Sequence, residues 1–381
     1  MNAFRTRAVI STDHLQNNIH CIRDLLNPDT KLMAVLKGNA YGHGIEPCVS
    51  AIDHLTDAYG VATLEEAIRI RTAGSRKSIL VFGKIAPEDL PLAVAHNITL
   101  NLYSLSLAEE LTAFAKSHNT VINCHIEIDT GLHRTGIPYT ETETGCLDKI
   151  FSLYHSRYLR ITGIYTHFSC SESRKEEDIE ITRRQYRSFA LLLRELRAGH
   201  ISPGCAHCAN SGAIIYYPEY QLDMVRLGML IYGQFTPDLV RKKIGLKPAL
   251  RWEASVVDIK HLEAGEGVSY DHTFITTRPT DIAIISAGYA DGYKRSNSNR
   301  SNVIINGQLV PCIGTVCMDY LIADITDLVK RKNIEKAILL GESGRACIPV
   351  SDLAADTVNG DITVSISSRV PRCYEPENRW R

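Results

Sequence analysis

One lysine, Lys37, directly follows an apolar run and precedes three glycines in the stretch MAVLKGNAYGHG, residues 33 to 44. A lysine that loses hydration at the end of a buried strand favours its neutral form, and a neutral amine is nucleophilic, as formation of a Schiff base requires. The glycines permit positive φ angles and close approach of the backbone to a ligand, and Tyr41 offers a phenol to a phosphate or a ring. A Walker-type phosphate loop is excluded because its lysine follows the glycines. On this stretch alone, a solvated lysine in an exposed loop is an equally good interpretation.

Polar side chains also follow four later apolar runs, at the place where a parallel strand would end. Taken singly, each has an ordinary explanation, such as an ion pair with Asp129 or a buried histidine with hydrogen-bond partners. Five run ends with the same character favour a common site, because sites in barrels are built at the carboxyl ends of the strands. The residues are Arg134, His167, Asn210 with Ser211, and Arg226 with Gly228.

The elements that would position these residues alternate along the first 240 residues. Eight near-continuous apolar runs are typical of strands buried on both faces, and the segments between them have helical periodicity and helix caps. An extra helix with Ser11, Thr12 or Asp13 as its cap precedes the first run. Eight alternations predict an α/β fold, a (β/α)8 barrel of the TIM type. The runs are LMAVLKG, YGVAT, SILVFG, ITLNLYS, INCHIEID, LRITGIYTH, GCAHCANS and MVRLGMLIYG.

After about residue 240 the pattern becomes strand-like with few helical intervals. Asn306-Gly307, flanked by VII and QLV, predicts a type I′ hairpin. We therefore expect two domains, a barrel over residues 1–240 and a mostly β domain over residues 241–381, as the length of 381 residues also suggests.

Composition narrows the class of partner. With 42 basic and 43 acidic residues, the chain has no charge excess of the kind that nucleic acids or anionic membranes attract. The sequence contains no membrane-spanning run and its start lacks a signal peptide, so we expect a cytoplasmic protein with a small-molecule partner. The 11 cysteines are scattered, which predicts reduced thiols. Cys205 and Cys208 lack a second pair at ligand spacing, so no metal site is expected.

Read together, these stretches resemble a known family. In chain order, from residue 9 to about 374, the motifs are similar to those of bacterial alanine racemases, which are fold-type III enzymes that use pyridoxal 5′-phosphate (PLP). The motifs are AVLKGNAYGHG, IDTGLHRTG, THFS, ANSGA, MVRLGM, GVSYDHTF, GYADGY, GTVCMDYLIADIT and RVPRCY.

The resemblance implies a role for each matching residue. Lys37 would carry PLP and, when released, serve one face of the substrate carbon, and Tyr270 would serve the other with support from His167, because racemisation needs two acid/base groups. Tyr270 and the Met318 amide would come from the partner subunit of a homodimer. The implied cofactor contacts are Lys37, Tyr41, Arg134, His167, Asn210, Ser211, Arg226, Gly228 and Met229. The implied substrate contacts are Arg134, Met318, Tyr270, Tyr289, Asp319, Asn359 and Gly360.

Arg226 would face the pyridine nitrogen of PLP and be linked to His167. A guanidinium only donates hydrogen bonds, so it pairs with a neutral pyridine. The cofactor is then a weaker electron sink, which favours racemisation over transamination.

The chain departs from the family pattern at three places. Glu127 replaces a lysine that relatives modify to a carbamate, and we expect its carboxylate to supply the anion beside Arg134. Thr315 replaces an arginine and Asp271-His272 replaces Gly-Arg, without an evident reason in the sequence. Asn359-Gly360 lies where relatives have a tyrosine that lines the pocket.

Loss of that phenol would enlarge the pocket, and the Asn359 amide would bind a hydroxyl, which predicts racemisation of serine as well as alanine. This resembles the racemase domains of vancomycin-resistance serine racemases, which supply D-amino acids for peptidoglycan precursors and follow a membrane domain. The chain would then be the cytoplasmic part of a tethered protein. The alternatives are a plain alanine racemase and, less favoured, a fold-type III amino-acid decarboxylase.

Overall fold

The computed structural model describes residues 4–139, 147–234, 238–354 and 357–376. The chain divides into two compact units. The first, which we call the barrel unit, comprises Ile19–Ala40 and Ile45–Leu230. The second, the β unit, comprises the described residues up to Asn18, Tyr41–Gly44 and those from Ile231 onward.

The barrel unit contains the eight predicted strands, which we number in chain order as barrel strands one to eight. Parallel pairing runs from strand eight to strand one and then through every neighbour to strand seven, so the sheet is nearly closed. Backbone hydrogen bonds from Asp223 to Ala206 and from Arg226 to Ala209 join the two remaining edges. The strands are Lys31–Val35, Ala58–Val61, Ser78–Val81, Thr99–Leu102, Ile122–Asp129, Leu159–Thr166, Cys205–His207 and Met224–Leu227. The barrel prediction is confirmed.

The helices of this unit follow the strands, and three of them begin at a side-chain cap, Thr63, Ser104 or Asn210. Thr63 accepts a hydrogen bond from the Glu66 amide, and Ser104 accepts one from Leu107. They are Ile45–Ile52, Leu64–Thr72, Leu90–Ala95, Leu105–Ser117, Leu147–Tyr154, Glu176–Ala198 and Ser211–Tyr216. Thr12–Arg23 precedes the first barrel strand, with the Ser11 hydroxyl accepting from the His14 amide. A short strand, Ile137–Pro138, pairs with barrel strand five.

The β unit is built on one mixed sheet. Leu250–Leu262, its longest strand, pairs antiparallel with Thr6–Ser11, Lys336–Ser343 and Thr280–Ile285. The other strands of this sheet are Asn302–Ile305, Gln308–Pro311, Leu321–Asp324, Ala346–Ile348 and Arg372–Glu375, whereas Gly267–Val268 and Phe274–Ile275 form a separate two-stranded sheet. The helices are Asp238–Ile244, Val350–Leu353 and Asn359–Ser365. The predicted hairpin is present, with Ile305 opposite Gln308 and positive φ at Asn306 and Gly307.

The predicted division at residue 240 stays a prediction. Two stretches that it assigned to the barrel, the described residues up to Asn18 and Tyr41–Gly44, cluster with the β unit. The described residues up to Asn18 cluster with the β unit because Thr6–Ser11 pairs with Leu250–Leu262. The fully buried Trp252 indole reinforces this pairing with a 2.8 Å hydrogen bond to the Thr6 hydroxyl.

Within the described ranges, none of the helices has both the length and the apolar character that crossing a bilayer requires. The ten cysteines that fall in these ranges are free thiols.

Candidate active site

Lys37 lies two residues beyond barrel strand one, at its carboxyl end, and is half-buried. Burial, followed by the positive charges of Arg134 and Arg226, lowers its pKa, and the opposing Glu66 carboxylate does not cancel this shift. A lysine with a lowered pKa has more neutral amine at a given pH, which is the property that covalent attachment of an aldehyde requires.

The residues after Lys37 form a left-handed turn. Gly38, Asn39 and Ala40 have φ of 63°, 54° and 56°, although side chains with a Cβ atom lose about 1–2 kcal/mol each in this conformation. Hydrogen bonds hold the turn: the Ala40 amide donates to the Leu36 carbonyl at 2.7 Å, and the Asn39 amide donates to the Glu66 carboxylate at 3.0 Å. The backbone after Lys37 is therefore fixed by its surroundings and not by glycine alone.

Arg226, on barrel strand eight, is the centre of a buried polar network. Its Nη1 lies 3.0 Å from His207 Nδ1 and 3.2 Å from the His207 carbonyl. Its Nη2 lies 3.0 Å from His167 Nδ1, the predicted link, and also contacts the carbonyls of Thr166 and Cys208. These five acceptors occupy both Nη groups, and among the described residues Nε makes no hydrogen bond, so Nε is the N–H that remains for a ligand.

The network assigns the histidine tautomers. A guanidinium only donates, so Nδ1 of both His167 and His207 must accept, and each neutral ring carries its proton on Nε2. Burial and then the Arg226 charge lower the pKa of both rings, which keeps them neutral. His207 then donates from Nε2 to Nδ1 of His125 at 3.0 Å. For His125, burial and then the Arg226 charge lower the pKa to about 4.

Sequence reasoning missed three members of this network, His125, His207 and Tyr165. The Tyr165 ring stacks on His207 with ring centroids 4.9 Å apart and lies under the Arg226 guanidinium at 5.2 Å. The signal was present: each of these polar residues interrupts an apolar run that was predicted to be a buried strand, and buried polar groups require partners.

Glu127 has different neighbours from those expected. Its carboxylate accepts a 2.6 Å hydrogen bond from the Asn101 amide and a second hydrogen bond from the Tyr165 hydroxyl. Among the described residues it makes no ion pair with Arg134, which is exposed.

Four of the predicted cofactor contacts, Asn210, Ser211, Gly228 and Met229, lie at the ends of barrel strands seven and eight. Ser211 begins the helix that follows strand seven, and its hydroxyl accepts from the Gly228 amide at 3.3 Å, with Met229 next in the chain. Asn210 instead caps that helix: its Oδ1 accepts from the Ala213 amide and the Ser171 hydroxyl. A hydroxyl, adjacent backbone amides, a lysine of lowered pKa and an arginine donor fit the phosphate, aldehyde and ring nitrogen of PLP.

The β unit holds the remaining predicted site residues. Tyr41 packs on Tyr232 with ring centroids 5.1 Å apart. Tyr270 and Met318 are 64% and 52% exposed, whereas Gly360 is buried. The Tyr289 amide donates to the Cys317 carbonyl, and Asp319 forms ion pairs with Arg369 and Arg5.

Asn359 lines a cavity of about 80 Å³ within the β unit. Gln234 lines the same cavity and donates from Nε2 to the Thr363 hydroxyl at 3.2 Å, while its buried Oε1 has no hydrogen-bond partner in the described part of the chain. Among the described residues, Asn359 is the only predicted site residue that lines this cavity.

Comparison with known proteins agrees with this arrangement. Residues 10–236 match the family described as alanine racemase, N-terminal domain, and residues 249–374 match alanine racemase, C-terminal domain. The chain is 35% identical over 371 residues to an alanine racemase of Desulforamulus reducens, covering 96% of this chain and 98% of the relative. An alanine racemase of Halothermothrix orenii is also 35% identical, with 97% of both chains covered.

Solved structures give the same result. An alanine racemase of Clostridium difficile 630 superposes with a TM-score of 0.90 at 30% identity, covering 99% of this chain and 97% of that one. The alanine racemase of Bacillus anthracis with bound L-Ala-P gives a TM-score of 0.87, also at 30% identity, with 98% and 96% covered.

Proposed function

Because this chain belongs to the alanine racemase family, whose members are PLP-dependent, we propose that it interconverts L- and D-alanine. The observation that carries the proposal is the Lys37 site: a half-buried amine of lowered pKa at a strand end, in a barrel whose Arg226 donates to the neutral His167. When bound, PLP withdraws electrons from the substrate's α carbon and makes its proton acidic.

The chain's own residues then exchange the proton. Lys37 removes or delivers it at one face of the α carbon, and Tyr270 does so at the other face. The exposed phenol of Tyr270 and the exposed Met318 support delivery of both to the site of a second subunit. Arg134 and the Met318 amide bind the substrate carboxylate, and we propose a homodimer as the active species.

Serine is the second candidate substrate. Gly360 is buried and has no side chain where the family pattern has a phenol. The Asn359 amide beside it would bind a serine hydroxyl. The relatives cited above are alanine racemases, so alanine is the favoured substrate. Assignment of the chain to the vancomycin-resistance racemases, which make D-amino acids for peptidoglycan, would require serine activity.

The test is racemisation in D₂O with added PLP, followed by loss of optical rotation and by deuterium entering the α position of L-alanine and L-serine. Racemisation of alanine supports the main proposal, and a serine kcat/KM within about tenfold of the alanine value, roughly 1.4 kcal/mol, supports the second. If neither amino acid loses rotation while CO₂ is released from a basic amino acid, the decarboxylase alternative replaces both.

A further inference from the structure

Tyr270 lies on a turn whose backbone conformation is costly. Ser269 has φ 62° and ψ −165°, a region that only glycine adopts readily, and Asp271 and His272 have φ of 61° and 43°. Each such residue costs on the order of 1–3 kcal/mol and persists only where its surroundings hold it. Because these residues flank Tyr270 on both sides, whatever holds the turn also determines the position of the phenol.

Thr315 contacts this turn on both sides of Tyr270. Its hydroxyl donates to the Tyr270 carbonyl at 3.0 Å, and its carbonyl accepts from the Ser269 hydroxyl at 2.6 Å. Thr315 is 6% exposed, so water competes little for these bonds. The Ser269 hydroxyl also lies 3.3 Å from the Cys317 thiol.

The hydroxyl of Thr315 is part of a directed chain of hydrogen bonds. Since its one proton goes to the Tyr270 carbonyl, it must accept from the Thr273 hydroxyl, which lies at 3.1 Å. Thr273 in turn accepts from the Asn299 amide at 3.0 Å, and Asn299 Oδ1 accepts from the Gly314 amide at 2.6 Å. This series of hydrogen bonds ends at Gly314, the residue next to Thr315, and each donor in it has a defined acceptor.

We propose that Thr315 is a positioning residue for Tyr270: its hydroxyl holds the Ser269–His272 turn in the conformation from which the phenol reaches the substrate's α carbon. The inference rests on the proposed racemase function and adds a residue that the family pattern does not explain. It also gives a role to the departure at position 315.

The first test compares Thr315→Val, which keeps the shape and removes the hydroxyl, with Thr315→Ser, which keeps the hydroxyl. We expect Thr315→Val to lower kcat about tenfold to a hundredfold, because small displacements of a catalytic group have effects of this size. KM should change by less than about threefold, since the proposed carboxylate contacts are Arg134 and the Met318 amide and not Thr315. Thr315→Ser should stay within about threefold of the wild-type kcat.

Isotope effects distinguish a displaced base from general damage. The two enantiomers have equal free energy, so kcat/KM must fall equally in both directions and rates alone do not identify the base. With the enantiomer whose proton Tyr270 removes, the α-deuterium isotope effect should rise in Thr315→Val. With the other enantiomer it should fall while the solvent isotope effect rises, because delivery from Tyr270 then limits the rate.

A measurement without turnover reports on the turn itself. In the PLP-bound enzyme, backbone amides of residues 269 to 273 should exchange with D₂O faster in Thr315→Val and at the wild-type rate in Thr315→Ser. Wild-type kcat and unchanged isotope effects in Thr315→Val, or equal losses in the two variants, would overturn the inference. Tyr270→Phe separates this failure from failure of the function. If the wild type racemises alanine and Tyr270→Phe does so equally fast, the racemase function stands and the role of Tyr270, with the inference that rests on it, is wrong. If the wild type does not racemise alanine, the function itself is wrong.

Discussion

Nη2 of Arg226 lies 3.0 Å from Nδ1 of His167, and this contact determines which histidine nitrogen carries the proton. Because the guanidinium donates, His167 keeps its proton on Nε2 and is a donor in its neutral form. Burial, and then the charges of Arg226, Arg134 and Lys37, hold its pKa well below the usual range. The activity should therefore depend on a neutral His167 over the whole physiological pH range.

Replacing Arg226 with glutamine should make that dependence visible. Without the cation, the pKa of His167 rises toward its ordinary value, so the ring becomes protonated at higher pH. In a plot of kcat/KM against pH, the acidic limb should therefore move to higher pH. Arg226→Lys is the matched control, because it keeps the positive charge but has no planar guanidinium with two Nη groups that contact both His167 and His207. We expect it to lower kcat while leaving the limb in place. An acidic limb at the same pH in Arg226→Gln and wild type would show that His167 does not govern it.

Lys37 should titrate below an ordinary lysine in the protein freed of PLP. Burial and the charges of Arg134 and Arg226 lower its pKa, whereas an unperturbed lysine has a pKa of about 10.4. Brief acylation at a series of pH values, read by peptide mass spectrometry, should modify Lys37 at lower pH than a free lysine side chain. Arg134→Gln should move the Lys37 titration to higher pH, since it removes one of the lowering charges. A Lys37 curve that coincides with that of a free lysine would contradict the assigned environment.

Local sequence patterns predicted much of the fold. The eight barrel strands were predictable because strands buried on both faces are apolar at every position, and the Asn306-Gly307 hairpin because its turn requires positive φ at both residues. The partner of Thr6–Ser11 was not predictable: its pairing with Leu250–Leu262 joins residues more than 200 positions apart, and an alternating pattern does not specify a distant neighbour.

The site was predictable as residue types but not as contacts. Lys37, His167 and Arg226 stand out because they end apolar runs, yet the left-handed turn through Asn39 and Ala40 uses residues that rarely adopt it. The bonds of Thr315 to the Tyr270 turn are likewise tertiary contacts between segments about 45 residues apart. Sequence propensities describe the backbone conformation that a residue type usually adopts, whereas at these positions tertiary contacts hold the backbone in an unfavourable conformation.

Glu253 should make stability depend on pH. Its fully buried carboxylate receives hydrogen bonds from Arg7 at 2.8 and 3.0 Å and pairs with Arg251 at 2.9 Å and Lys336 at 3.3 Å. Burial raises the pKa of Glu253, but these cations outweigh it and the net pKa is lowered. A lowered folded-state pKa contributes stability that is present above the unfolded value of about 4.3 and is lost as pH falls through the folded value.

Glu253→Gln removes that contribution and leaves three cations around a neutral amide, so it should cost about 3–5 kcal/mol near pH 7. The difference in denaturation midpoint between variant and wild type should shrink as pH falls below about 4.3. Urea unfolding at several pH values measures this, with Asp258→Asn on the same strand as an exposed control that should change little. A gap that stays constant down to pH 3 would mean that the Glu253 carboxylate is not the titrating group.

Substrate preference should respond to the side chain at position 360. Gly360 is buried, and Asn359 beside it carries an amide. Gly360→Tyr adds a phenol, fills space and competes for the Asn359 amide that would bind a hydroxyl. We expect the serine kcat/KM to fall about tenfold relative to alanine, a loss of roughly 1.4 kcal/mol of transition-state binding.

Gly360→Phe separates volume from polarity, because it fills the same space without a hydroxyl. Equal losses of serine activity in the two variants would assign the preference to the room that glycine leaves. A larger loss in Gly360→Tyr would assign the preference to competition for the Asn359 amide. Asn359→Leu completes the comparison: it removes one amide without adding to the buried helix position, so it should lower serine turnover while alanine turnover stays within about threefold. If serine and alanine change in parallel in all three variants, residues 359 and 360 do not select the substrate, and the chain should be treated as a plain alanine racemase.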